Sequence, residues 1–149
     1  RRTRLRRPLL RGVGSPAAGA GNVHDRGGEY HGGTMTTEHV LDHHLDAFTG
    51  QDLDECLADY TDDSVIITNM GTFRGLDEIE GLFAGLFEEF SQDGSTVELD
   101  RKEIEGEYAY IVWHGETPDN DYEFCTDTFV VEDGVITRQT FAGKVEPKV

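Results

Sequence analysis

The chain has 149 residues, a length that allows one domain with a single hydrophobic core. Its formal net charge of −17 is unevenly distributed. Residues 1–34 contain seven Arg, one Asp and one Glu, so residues 35–149 keep 28 acidic and six basic side chains, a net charge of −22. Nucleic acids and anionic membranes both require a basic surface, and we therefore expect neither as a partner. A neutral or cationic partner is favoured.

So many acidic side chains repel one another at low ionic strength, and this repulsion is tolerated where salt screens it. We therefore predict that the protein works in a cytoplasm of very high salt. Cys56 and Cys125 lack the spacing and the company of a metal motif, which favours a reduced intracellular protein. The sequence has no apolar run of the roughly 18 residues that a membrane span needs, and no secretory signal. We therefore expect a soluble, cytoplasmic protein without a metal or a cofactor.

Residues 1–34 are rich in Arg, Gly, Ala and Pro and show almost no apolar periodicity. Such a composition buries too little surface to offset the entropy of ordering, which predicts a disordered extension. The composition changes at Met35, which favours a true translation start there and a single domain over residues 35–149. An Arg-rich targeting tail and a disordered tail of unknown use are the alternatives.

The segment from Thr37 to about Gly50 has apolar residues at helical spacing, which predicts a first helix with His44 on its inward face. Asp52 and Glu55 resemble an N-terminal capping pair, and the apolar residues Leu53, Leu57 and Tyr60 follow, which predicts a short second helix. Residues 64–69 are mostly β-branched and are bounded by turn residues, as is typical of a short strand.

A strong helix is predicted next, because seven apolar residues between Leu76 and Phe90 repeat at spacings of three and four. Turn residues then separate four long strands, near Thr96 to Ile104, Tyr108 to Glu116, Asp121 to Val131 and Val135 to Val145. These strands should form an antiparallel meander. The order of elements predicts an α+β fold whose helices cover one face of a strongly curved sheet of about five strands.

Three segments together carry a resemblance to a known superfamily. They are residues 47–53 (AFTGQDL), the turns in residues 69–75 (NMGTFRG) and residues 126–136 (TDTFVVEDGVI). Their order and spacing resemble the nuclear transport factor two-like superfamily, which includes ketosteroid isomerase, limonene epoxide hydrolase and the SnoaL-like polyketide cyclases. The resemblance spans about residues 37–145 and is closest in character to the SnoaL-like proteins. It implies a cone with an apolar pocket between sheet and helices, and a homodimer formed through the sheet.

One of the three catalytic groups of ketosteroid isomerase has a counterpart in this chain. The Tyr that donates to the developing oxyanion aligns with His44. The general-base Asp falls on Thr68 or Asn69, neither of which can take a proton from carbon near neutral pH. The second oxyanion group, a carboxyl kept neutral by apolar surroundings, falls within one residue of Asp127.

Limonene epoxide hydrolase shares one catalytic residue type with this chain. Its Asn agrees with Asn69, but Ile67 stands where that enzyme has a Tyr. Its catalytic Arg and two Asp fall on Trp113, Gly115 and Phe141. We therefore do not expect epoxide hydrolysis.

The candidate pocket wall is the stretch around Asp127. Strand alternation puts residues 123, 125, 127, 129 and 131 on one face and Tyr122 and Phe124 on the other. The resemblance implies that the Asp127 face points into the cone, where a mostly apolar cavity with a few polar groups is the usual character of a small-molecule site. The candidate ligand-binding residues are Asn69, Trp113, Cys125, Phe129, Gln139 and Phe141.

His44 and Asp127 are the candidate catalytic residues. Desolvation would raise the pKa of Asp127, which suits an acid, a hydrogen-bond donor or a gated base, and His44 could share a proton with it. The alternatives are a carboxylate tied to the backbone or the helices and a buried core histidine. For an enzyme we expect the two side chains within about 3–5 Å of each other, directly or through one water, at a cavity.

The sequence therefore leads to a hypothesis and an alternative. The hypothesis is a SnoaL-like protein that binds a small apolar or amphipathic metabolite and isomerises, cyclises or dehydrates it, because these reactions need little beyond one acid and one base in a dry pocket. The alternative is a non-catalytic ligand-binding or dimerisation module, which would be favoured by bulky side chains that fill the cone.

Overall fold

The structure is a computed structural model, and it describes residues 35–149. The predictions for residues 1–34 lie outside the described residues. Helices and strands follow one another as α1 (Thr37–Thr49), α2 (Leu53–Leu57), β1 (Val65–Thr68), β2 (Thr72–Arg74), α3 (Gly75–Phe90), β3 (Thr96–Glu105), β4 (Tyr108–Glu116), β5 (Asn120–Glu132) and β6 (Val135–Pro147). Within this part of the chain, none of the helices is both long and apolar enough to cross a membrane.

The strands form one sheet in the order β2-β1-β6-β5-β4-β3. Strand β1 pairs in parallel with β6, and all other neighbours are antiparallel. The α+β class and the curved sheet are confirmed, but the described sheet has six strands rather than about five. The additional strand is β2, which a tight turn folds back on β1: the Thr68 amide donates to the Gly71 carbonyl at 2.8 Å, and the Thr68 hydroxyl accepts from the amides of Met70 and Gly71.

Local chemistry explains where the helices and the last hairpin begin and end. The Asp52 carboxylate caps α2 by accepting from the Glu55 amide at 3.1 Å, as predicted from the spacing of these residues. Helix α3 begins at Gly75, whose φ of +78° and close approach to the Asp62 carbonyl both favour glycine. Strands β5 and β6 are joined by Asp133 and Gly134, both at positive φ, as two-residue hairpin turns require.

The three helices pack on one face of the curved sheet, and the core lies between the two layers. Its members are almost completely buried and lie on both the helices and the sheet. They include Val40, Leu41, Cys56, Ile66, Ile79, Phe83, Ala109, Phe129 and Ile136. A second, smaller cluster joins Phe90, Tyr122 and Cys125 near the end of α3. The helices therefore close over the sheet face that carries Asp127.

A bulge changes which side chains of β5 point into the core. Cys125, Asp127 and Phe129 are buried as predicted, but the pairing with β6 shifts between Tyr122 and Phe124. The prediction that Tyr122 faces away from the Asp127 side was therefore wrong. Because the extra residue interrupts the alternation, Tyr122 also turns inward and is only 6% exposed, while Phe124 stays 57% exposed.

Candidate functional site

His44 lies in the centre of the core, as its place on the apolar face of α1 predicted. Its side chain is 4% exposed. Aromatic rings meet it edge to face from three elements, with centroid distances of 5.6 Å to Tyr60, 5.6 Å to Phe83 and 5.5 Å to Phe129. Such contacts fix the plane of the imidazole and direct its two nitrogens toward different partners.

Both nitrogens of His44 face polar groups on and after α2. Nδ1 lies 3.6 Å from Oδ2 of Asp59 and 3.8 Å from the sulfur of Cys56, and Nε2 lies 3.5 Å from the Tyr60 hydroxyl. Asp59 Oδ2 is buried and has no hydrogen-bond partner. A proton on Nδ1 would face this oxygen and interact favourably with its charge, so Asp59 favours a ring protonated on Nδ1.

Asp127 lies in the middle of β5 and is 7% exposed. Its Oδ2 accepts from the indole nitrogen of Trp113 at 2.8 Å, and its Oδ1 accepts from the amide nitrogen of Gln139 at 3.0 Å. Burial raises the pKa of Asp127 above its usual value, and the two hydrogen bonds and the nearby His44 oppose this rise. Burial therefore favours the protonated form of Asp127, whereas Trp113, Gln139 and His44 favour the charged form.

Gln139 and Tyr60 connect the two predicted catalytic residues. The Tyr60 hydroxyl donates to Gln139 Oε1 at 2.5 Å, and the other end of the same amide donates to Asp127. His44 and Asp127 are therefore joined through two side chains rather than by a direct contact. We call the row His44, Tyr60, Gln139 and Asp127 the buried polar row.

The other predicted ligand-binding residues occupy three kinds of position. Phe129 is 1% exposed against His44, and the half-buried Trp113 and Phe141 have ring centroids 6.2 Å apart. Cys125 is fully buried, and burial raises its pKa to about 12. Asn69 is exposed in the turn after β1 and is not part of the buried polar row.

Sequence analysis missed Asp59 and the hydroxyl of Tyr60 as site groups. Tyr60 was interpreted as an apolar residue of the second helix, and Asp59 is one acid among several on that segment. Both are buried, at 6% and 4% exposure. Their partners lie on other elements, with Gln139 79 positions away from Tyr60. Periodicity marks which side of a helix is buried, but not which distant group it meets.

Aromatic side chains fill most of the space between helices and sheet. Phe48 contacts Phe83, Phe87 and Phe90, and Phe90 contacts Trp113. Shallow depressions lie on the surface of the described part of the chain. One of about 470 Å³ runs along α3 beside β2 and includes Gly81 and Gly85, and one of about 440 Å³ lies near Glu89 and Asp119. His44 and Asp127 line neither of them.

His43, which shares a possible metal spacing with His39, is held by carboxylates. Its Nδ1 lies 2.7 Å from Asp59 and its Nε2 lies 2.7 Å from Glu55. Across residues 35–149, no group of three or more His, Cys, Asp or Glu residues is arranged to hold a metal ion. The pKa of His43 is raised, first by the hydrogen bond with Glu55 and then by Asp59.

Comparison with sequence families identifies the chain. Residues 41–139, most of the described domain, match the family described as the SnoaL-like domain. The chain belongs to the SnoaL-like family. No curated protein matches this SnoaL-like chain.

Solved structures share the fold at low sequence identity. A nuclear transport factor two-like protein of unknown function from Mesorhizobium loti is 18% identical, with a TM-score of 0.64 over 72% of this chain and 90% of that chain. A candidate ketosteroid isomerase from Kribbella flavida DSM 17836 is 17% identical, with a TM-score of 0.61 over 78% and 84% of the two chains. A candidate polyketide cyclase from Sinorhizobium meliloti is 16% identical, with a TM-score of 0.59 over 72% and 99%. These similarities show that the SnoaL-like chain has the nuclear transport factor two-like fold.

Proposed function

We propose that this SnoaL-like protein binds a small apolar or amphipathic molecule between its sheet and its helices. In this proposal, His44 and Asp127 are the acid–base groups of an isomerisation, a cyclisation or a dehydration. The observation that carries the proposal is the buried polar row, which joins an imidazole to a carboxyl inside an otherwise aromatic interior. Perturbed acids linked to a second titratable group are typical of sites where protons are moved.

The chemistry of the surrounding groups supports proton transfer over nucleophilic catalysis. Burial raises the pKa of both Cys56 and Cys125 to about 12, so both remain thiols near neutral pH. Thiols in this state are poor nucleophiles. Asp127 and His44 are then the groups best suited to gain and lose protons, as isomerisation and dehydration require.

The surroundings of Asp127 indicate the character of the ligand. Trp113 and Phe141 stand beside the carboxyl and are only half-buried, so their movement would open a route to it. Flat, apolar rings would replace the contacts that these side chains make with each other. The net charge of −22 over residues 35–149 favours a neutral or cationic molecule.

The non-catalytic alternative is supported by several observations. His44 and Asp127 are joined only through two other side chains, and aromatic side chains fill most of the space between helices and sheet. Both oxygens of Asp127 already accept hydrogen bonds, from Trp113 and Gln139, and neither surface depression reaches them. A carboxyl held in this way also stabilises the fold. The same aromatic interior would then bind a ligand without reacting with it.

Two measurements test the proposal in sequence. Native mass spectrometry of protein purified from its own host should show a retained small molecule, and the released compound should quench or shift the emission of Trp113, the only Trp in the chain. A chain that retains nothing and binds no small compound with a flat apolar ring would overturn ligand binding.

Catalysis is then separated from binding by isotope exchange. The released compound is incubated with the protein in D₂O, and deuterium incorporation is followed by mass spectrometry. Asp127→Asn and His44→Gln should slow incorporation by roughly 10²-fold or more while the compound still binds. The matched control is Tyr122→Phe, which removes a hydroxyl bonded to Glu89 and leaves His44 and Asp127 in place. Binding without any incorporation would establish the non-catalytic alternative.

A further inference from the structure

We propose that Tyr60 and Gln139 link the protonation of His44 to that of Asp127, so that the two groups keep one proton between them over a wide pH range. Tyr60 and Gln139 are then positioning residues that act through hydrogen bonds.

The link rests on the continuity and the burial of the buried polar row. From His44 Nε2 to the Tyr60 oxygen the distance is 3.5 Å, from the Tyr60 oxygen to Gln139 Oε1 it is 2.5 Å, and from Gln139 Nε2 to Asp127 Oδ1 it is 3.0 Å. The four side chains are between 4% and 7% exposed. Because water cannot replace a missing partner there, each proton in the row restricts where the next proton lies.

A charged Asp127 sets one direction of the hydrogen bonds. Carboxylate oxygens only accept, so the Gln139 amide directs its NH₂ group at Asp127 and its carbonyl oxygen at Tyr60. Tyr60 gives its single proton to Gln139, and its oxygen can then only accept from a proton on His44 Nε2. Asp59 Oδ2, buried without a partner 3.6 Å from Nδ1, suits a His44 ring that donates from both nitrogens.

A neutral Asp127 reverses the direction of every bond in the row. Its O–H donates to the carbonyl oxygen of a turned Gln139 amide, whose NH₂ group donates to the Tyr60 oxygen. Tyr60 then gives its proton to an unprotonated His44 Nε2, and the ring keeps only the proton on Nδ1. Each arrangement holds one exchangeable proton, on His44 Nε2 in the first and on Asp127 in the second.

The remaining protonation states leave a buried group unsatisfied. While the proton on His44 Nδ1 stays in place, protons on both His44 Nε2 and Asp127 make two donors meet within the row, and protons on neither make two lone pairs meet. A neutral ring protonated only on Nε2 would satisfy the row beside a charged Asp127, but it would turn a bare Nδ1 toward the buried, unpartnered Asp59 Oδ2 at 3.6 Å. Buried polar groups without a partner are costly. The pair should therefore take up its second proton at a lower pH, and release its last proton at a higher pH, than two unlinked groups would.

Most other titratable groups around the pair keep their protons near neutral pH. Burial raises the pKa of Tyr60 well above its usual range, and it raises those of Cys56, beside His44, and Cys125, beside Asp127, to about 12. Trp113, the second donor to Asp127, does not titrate.

Asp59 is the charged group that faces His44, and its other oxygen is held from outside. His43 Nδ1 lies 2.7 Å from Asp59 Oδ1, and Glu55 holds the second nitrogen of His43. The pKa of His43 is raised, first by the hydrogen bond with Glu55 and then by Asp59, so His43 also changes its protonation in the titration. Its signals must therefore be followed separately.

The functional consequence rests on the proposed function. If His44 and Asp127 hold one proton between them over a wide pH range, one of them is an acid and the other a base throughout that range. A bound molecule could then give a proton to Asp127 and receive one from His44, so that the proton of the pair moves from His44 to Asp127. The numbers of protons given and received balance.

The test measures both ends of the pair in the full chain without any ligand. Ring ¹⁵N signals of labelled histidine report His44, identified by its loss in His44→Gln, and Trp113 emission reports Asp127, to which its indole donates. In the wild type we expect two transitions far apart in pH. In Tyr60→Phe and in Gln139→Met, which keep similar shapes, the separation should shrink by about one pH unit or more.

The matched control is Tyr122→Phe. It also removes one hydroxyl, here bonded to Glu89 at 2.7 Å, and it leaves the ring stacked on Trp113 at a centroid distance of 5.7 Å. Its transitions should keep the wild-type separation. An unchanged separation in both test variants would overturn the link. Because no ligand takes part, this result is independent of whether the proposed binding is found.

Discussion

The fold buries the carboxyl of Asp127 where its negatively charged form is unfavourable. Its pKa is raised above the ordinary value of 3.8, mainly by burial. An acid that binds its proton more tightly in the folded state loses stability as the pH rises from its ordinary pKa through the raised one. Asp127→Asn removes this loss. The free energy of unfolding of the variant, relative to wild type, should therefore increase from about pH 4 upward and level off above the raised pKa.

The difference in unfolding free energy between Asp127→Asn and wild type has a constant part and a part that changes with pH, and the two parts have different causes. An Asn side chain cannot accept from both Trp113 and Gln139 in the same way, so the variant also loses a hydrogen bond of roughly 1 kcal/mol at every pH. Only the part of this free-energy difference that changes with pH reports the titration of the Asp127 carboxyl. Urea unfolding followed by circular dichroism at several pH values measures it, with the exposed Asp54→Asn as control. A difference that is constant or falls with pH would contradict the raised pKa.

At the scale of elements, helix α3 contains two glycines at positions where the structure has room for a larger side chain. Gly81 and Gly85 are exposed, and a Cβ added at either position meets nothing within 4 Å. Glycine inside a helix costs about 1 kcal/mol relative to Ala. Gly81→Ala and Gly85→Ala should each raise the free energy of unfolding by about that amount, measured by urea unfolding.

A glycine of β4 provides the contrasting variant. A Cβ at Gly115 would collide with the backbone carbonyl of Thr96 on β3. Gly115→Ala should therefore destabilise the protein, because a backbone atom cannot move aside as a side chain can. If the two helix variants fail to gain stability, the prediction for α3 is contradicted.

Elements set by local pattern could be predicted from the sequence. Alternation and turn residues placed the four long strands within about two residues, and the 3.6-residue period placed His44 inside α1. Strand β2 was missed because three residues between two turns have no pattern of their own. Tyr122 was placed on the wrong face because a bulge depends on pairing with β6.

The partners within the site could not be predicted in the same way. Tyr60 meets Gln139 across 79 positions because the segment after α2 runs beside β6, where the Ile136 amide donates to the Asp59 carbonyl at 2.7 Å. Hydrogen bonds of this kind depend on the packing of whole elements, which a single sequence does not display. The inward position of Asp127 could be expected, but the indole and amide that hold it could not.

The net charge acts on the whole molecule. With −22 over residues 35–149, self-repulsion should be strong at low ionic strength and weaken as salt screens it. We expect the unfolding midpoint to rise by several degrees between about 0.05 and 1 M KCl. Thermal unfolding in matched series of KCl and choline chloride measures it, since screening alone predicts similar curves. A midpoint that stays flat or falls would contradict adaptation to high salt.

The outer face of the sheet is the surface we propose for a homodimer. The helices cover the opposite face, and the centre of the outer face is an uncharged band in an otherwise acidic domain. The band consists of Tyr110, Val112, Thr126, Thr128, Thr140 and Ala142. A second copy packed there would bury the band against itself, as symmetric dimers do.

Thr128→Lys tests this interface. An unpaired charge in the band would be buried in a dimer, so the variant should sediment as a monomer where the wild type sediments as a dimer. Ser91→Lys, exposed just after α3, should leave the assembly unchanged. A monomeric wild type, or a variant that still dimerises, would remove the outer face as the interface.

Strand β6 also fixes the distance between two points of attachment. The Met35 backbone lies close to Gly134, which precedes β6, whereas the Lys148 amide just after β6 donates to the Asp119 carbonyl at the other end of the sheet. Thirteen residues of strand span up to about 40 Å, and pairing with β1 and β5 on both sides keeps them extended. Segments joined at Met35 and at Lys148 would therefore be held apart by a rigid spacer.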